Sequence, residues 1–143
     1  MYEPIRSKSV HSTMAGPTDF PRRSRDEELD IQLAGHLAAL LAVTDELRAL
    51  APDTGLDTGL DAAAERLAEQ VTRLRGGRAP VRLQVAAGRQ EPRPAALHGR
   101  AHTLAARALV VAASRADTAV AILTAERMDA HSSALEPRPL ASR

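Results

Sequence analysis

The chain has 143 residues, enough for one domain, and is 44% hydrophobic with one Phe, one Tyr and no Trp. Alanine fills 29 positions, so the core has to be built from Leu, Val and Ile and from close backbone approach at Ala. The absence of Cys excludes a disulfide, a thiolate ligand and a Cys nucleophile. The formal charge is +1, and a single Lys stands beside 18 Arg, the usage of a GC-rich coding sequence.

The charges are sorted along the chain. Residues 1–25 carry net +3, residues 26–51 net −5, residues 52–75 net −2, and residues 76–93 net +3. Arg22, Arg23 and Arg25 at the head of the chain, with Arg78 and Arg82 in the second basic stretch, are the candidate anion contacts. Nucleic-acid binding is a secondary reading, because the neighbouring helices are acidic and no base-stacking aromatics lie among them.

Residues 1–23 hold Pro4, Pro17 and Pro21 and no periodic apolar pattern, and are expected to form a disordered basic arm. Ser24-Arg25-Asp26-Glu27 then fits a capping box. It opens a helix expected over 25–51, with Leu29, Leu33, Leu37, Leu40, Thr44 and Leu47 on one stripe. Pro52 closes it. Thr54-Gly-Leu-Asp57 repeats as Thr58-Gly-Leu-Asp61, offering two registers for the next helix start. That helix is expected over 60–75, with Leu60, Ala63, Ala64, Leu67, Val71 and Leu74 inward and Gly76-Gly77 as the stop.

Residues 76–93 are Gly-, Pro- and Arg-rich and read as an irregular linker. From Pro94 the chain runs without another Pro to Leu135, with one Gly, at position 99. The period predicts one helix over about 94–134, which would reach about 60 Å. Its apolar positions form two stripes, one through Leu97, Ala101, Leu104, Ala108, Val111, Ala119 and Ile122 and one through Ala105, Leu109, Ala116, Val120 and Leu123. The chain offers only two shorter helices, so such a rod either overhangs them or pairs with another subunit. The expected fold is therefore all-α, a three-helix antiparallel bundle over 24–135 with a long C-terminal helix and a disordered tail over 136–143. The 94–134 helix is expected to pair with a second copy, as a homodimer of coiled-coil type.

Few residues suggest chemistry. Arg115 falls at the centre of an apolar stripe and needs a carboxylate; Asp45 or Glu46 on the first helix is the expected partner, with Thr44 in the same polar layer. His98 and His102 stand one turn apart and are weak candidate metal ligands, with His36 or His131 as conceivable additions. There is no HExxH, G-x-S-x-G, P-loop or dinucleotide-binding motif, and no catalytic residue, metal or cofactor is expected. No stretch matches a bilayer span: the longest uncharged run in the helical part, Ile31 to Thr44, has 14 residues against the ~20 needed. The N-terminus lacks the apolar segment of a signal peptide. The expectation is a cytoplasmic, non-catalytic interaction, scaffold or regulatory protein with an unknown protein partner and no membrane contact. The alternatives are a nucleic-acid-associated regulator and a binder of small anions.

Overall fold

The structure, a computed structural model, describes residues 24–50, 58–82 and 93–136. Helix α1 (Arg25–Leu50) begins at the capping box. The Ser24 N–H donates to Glu27 Oε1 and the Glu27 N–H donates to Ser24 Oγ, both at 3.0 Å. Helix α2 (Thr58–Leu74) begins at the second of the two repeats. It ends where Gly76 and Gly77 adopt positive φ, which lets the Gly77 N–H reach back to the Thr72 carbonyl. Helix α3 (Pro94–Arg115) has Pro at its first position, where no N–H is missed. Helix α4 (Thr118–Leu135) completes the set, and no strand is present among the described residues.

The single rod expected over 94–134 is therefore broken, and the described residues form four helices rather than three. Ala116 has left-handed φ 59 and ψ 36. The Asp117 N–H donates to the Ala112 carbonyl and the Ala116 N–H to that of Ala113, closing a Schellman cap without glycine. Asp117 then caps α4, its carboxylate accepting from the Val120 N–H at 3.2 Å. The apolar period runs straight through this turn, so periodicity alone could not register it. With no 60 Å rod to cover, length no longer calls for a second subunit.

Ion pairs fix the directions. Arg48 on α1 meets Asp61 on α2 at 2.7 Å, and Arg115 on α3 meets Asp30 on α1 at 3.1 Å. Arg73 and Arg66 on α2 reach Asp117 and Glu126 at the head and middle of α4. Each adjacent pair is thus antiparallel, and α2 runs parallel to α3. The described segment after α2 returns along the bundle as far as Arg82, which reaches Asp45 near the end of α1.

One core joins the four helices. Leu33, Leu37, Leu40 and Leu47 of α1 pack with Leu60, Leu67 and Val71 of α2 and with Val120 and Leu123 of α4. Helix α3 contributes Leu97 and four fully buried alanines, at 101, 105, 108 and 112. Burial of each Leu is worth ~1.5–3 kcal/mol, whereas the alanines mainly permit short interhelix distances. Ala119 and Ile122, expected on an inward stripe, are exposed, because α4 starts a new phase after the turn. Gly99 has no atom within 4 Å of where a Cβ would stand, so no close helix contact requires it. The basic arm over 1–23 and the tail beyond 136 lie outside the described residues.

Candidate functional site

Arg115 does not meet Asp45 or Glu46. Its Nε donates to Asp30 Oδ1 at 3.1 Å, and Asp26 Oδ2 lies 3.8 Å from its Nη1. The antiparallel register of α1 and α3 places Arg115 beside the start of α1, not its end. Arg115 is thus a bracket across two helix termini, half exposed and already neutralised. Thr44 is buried, with its hydroxyl spent on the Leu40 carbonyl of its own helix at 2.8 Å. Glu46 Oε1 is buried and has no hydrogen-bond partner among the described residues.

Asp45 instead organises a polar cluster at the joint of α1, α2 and the return segment. It accepts from Arg48 Nη1 at 3.0 Å and from both Nε and Nη2 of Arg82, at 3.1 and 2.9 Å. Arg48 also binds Asp61. The hydrogen bond that Arg48 donates to Asp61 raises its guanidinium above the ordinary pKa, and those that Arg82 donates to Asp45 do the same for Arg82. A cleft of about 440 Å³ opens here, lined by Arg48, Asp61, Glu65 and Arg82. Its charges cancel, and Arg82 is no longer available as an anion contact. Arg25 and Arg78 are exposed, while Arg22 and Arg23 lie outside the described residues.

The candidate metal pair, His98 and His102, is divided. His98 turns to His131 on α4, with their Nδ1 atoms 2.9 Å apart and the rings tilted by 46°. His131 is 1% exposed. Its Nε2 lies 3.4 Å from Arg127 Nη2. A guanidinium has no lone pair to offer, so His131 Nε2 must accept and its Nδ1 must carry the proton donated to His98. Burial, then the charge of Arg127, lowers the His131 pKa to about 4. Burial also lowers the pKa of Arg127, whose Nε has no hydrogen-bond partner among the described residues. Among the described residues no three His, Cys, Asp or Glu side chains converge to hold a metal ion. The cationic Arg127 beside this pair is the opposite of a ligand.

The remaining feature is apolar. A groove of about 300 Å³ runs along the outer face of the α3–α4 hairpin. Alanines at 112, 113, 116, 121 and 125 line it, with Thr118 and Asp117 at its closed end. Ile122 rises from its α4 side, 55% exposed, and Val110 stands 66% exposed on the outer ridge of α3. This surface was hidden from sequence reasoning because it exists only once the chain turns at Ala116. No helix among the described residues is long and apolar enough to cross a membrane.

Comparison with known proteins returns no match to a family model, a curated protein or a solved structure.

Proposed function

We propose that this chain is a non-catalytic helical interaction protein whose contact surface is the outer face of the α3–α4 hairpin. The observation that carries this reading is the Ala-lined groove with Ile122 and Val110 standing in solvent beside it. Single exposed aliphatics are ordinary on any surface, but two of them flanking one apolar channel form a contiguous patch. Small side chains along the channel let a partner helix come close, so that backbone and methyl contacts add up over its length.

The polar clusters speak for no rival reading. Arg115 is held by Asp30 and Asp26, and Arg82 by Asp45, so neither offers a free cation to a small anion or to a phosphate backbone.

A photo-crosslinking amino acid placed singly at Val110, Ile122 and Ala42 tests the proposal. Ala42 is exposed on α1, in the opposite layer. Illumination of cells expressing the full chain should give discrete adducts from positions 110 and 122 and none from 42. Adducts from all three alike, or from none, overturn the reading.

A further inference from the structure

We infer that the occupant of this face is a second copy of the same chain, related by a two-fold axis parallel to the helices; this rests on the contact surface proposed above. The charges beside the groove are sorted by helix. Helix α3 contains no Asp or Glu, and its exposed cations are Arg100 and Arg107. The exposed charges of α4 are Glu126 and Asp129. At 100° per residue, Arg100 and Arg107 flank the Ala106–Val110–Ala113 stripe on the side away from α4. Asp129 lies on the same ridge as Ile122. One edge of the face is thus basic, the other acidic, and the channel between them apolar.

Arg107 and Asp129 differ in height by seven residues, about 10 Å, a gap their side chains narrow. The contact of His98 with His131 sets the register of the hairpin, so residues 100–107 stand level with residues 129–122. Side chains lean toward the N-terminus of their own helix, and α3 and α4 run oppositely. Arg107 and Asp129 therefore lean toward a common level.

A two-fold axis along the helices preserves height and exchanges the two edges. It lays α3 of each copy antiparallel across α4 of the other. Arg107 of each copy then meets Asp129 of its partner, twice per dimer, while the two apolar channels close on one another. A two-fold axis across the helices would instead bring the arginine edge onto itself, which repulsion opposes. Neither Arg107 nor Asp129 has an ion-pair partner among the described residues, so both are available for such a contact.

Sedimentation equilibrium of the full chain across a dilution series tests this, using Arg107→Glu, Asp129→Arg and the double variant. Thermal melts followed by circular dichroism should agree for all three, since the altered side chains are exposed. The wild-type chain should dimerise. Each single reversal should weaken the dimer by about tenfold or more, because each creates two like-charge contacts, and the double variant should recover most of the loss. A wild-type monomer at every concentration overturns the inference. So does a dimer that Ile122→Asp disrupts but the charge variants leave unchanged. In the crosslinking experiment, an adduct of twice the chain mass supports the second copy. An adduct with a different protein overturns it while leaving the contact face in place, and the absence of adducts at 110 and 122 removes the contact face itself.

Discussion

His131 Nδ1 stands 2.9 Å from His98 Nδ1, and this contact joins the start of α3 to the end of α4. Three groups are locked in sequence. Arg127 donates to His131 Nε2, and His131 Nδ1 donates to His98 Nδ1. A proton added at His98 Nδ1 would force His131 to accept there and to turn its own proton toward Arg127, a donor facing a donor. Arg66 on α2 adds its charge to the repulsion on Arg127, and Glu126, which Arg66 engages, offsets it in part.

Acid should therefore weaken the fold through His131. Its pKa is about 4 in the folded chain, against 6.5 when exposed. Above pH 6.5 the ring is neutral in both states and has no effect. Between 6.5 and 4 the unfolded chain takes a proton that the folded chain refuses. Stability then falls, by roughly 3 kcal/mol at pH 4. Urea unfolding at pH 7.5, 6, 5 and 4 measures the decline, and His131→Leu should flatten it relative to the wild type. Parallel slopes for the two proteins would show that His131 is not the proton acceptor.

Asp117 controls the turn on which the whole α3–α4 face depends. Its Oδ1 caps α4 through the Val120 N–H, and its Oδ2 accepts from Arg73 at 2.7 Å. Asp117→Ala should cost about 1–2 kcal/mol, chiefly through the lost cap, since an ion pair with a half-exposed Arg contributes less than ~1 kcal/mol. Asp117→Asn keeps an acceptor and should recover most of the loss. The neighbouring Ala116→Gly should raise stability by about 0.5–1 kcal/mol, because glycine adopts positive φ without the Cβ clash. Chemical denaturation of the three variants ranks these effects.

The helical periods of α1 and α2 and the Ser24 capping box were readable because each is a local pattern with a local cause. The break at Ala116 was not. Glycine and proline usually announce such a turn, and here an alanine takes the left-handed conformation. The one available sign was Asp117-Thr118, a capping pair inside an apolar run. Helix direction was equally out of reach. Arg115 was given a partner at the wrong end of α1, because the direction of α3 relative to α1 could not be known from spacing. Spacing offers His131 only as one of two possible additions to His98 and His102; the hairpin that brings residues 33 positions apart into hydrogen-bonding distance is what selects it.

Helix α3 offers a closing contrast between two small residues. Ala108 is fully buried where α3 meets its neighbours in the core, so any larger side chain must displace packed atoms. Ala108→Leu should therefore destabilise by about 1–3 kcal/mol despite adding apolar surface. Gly99 sits on the same helix with open space where its Cβ would be. Gly99→Ala should stabilise by about 0.5–1 kcal/mol, through the smaller entropy of the unfolded chain and the better helix propensity of alanine. Urea midpoints should move in opposite directions for the two variants. A stabilising Ala108→Leu would mean that the alanine seam is loose, and α3 would then owe its place to Leu97 and the Arg115 bracket alone.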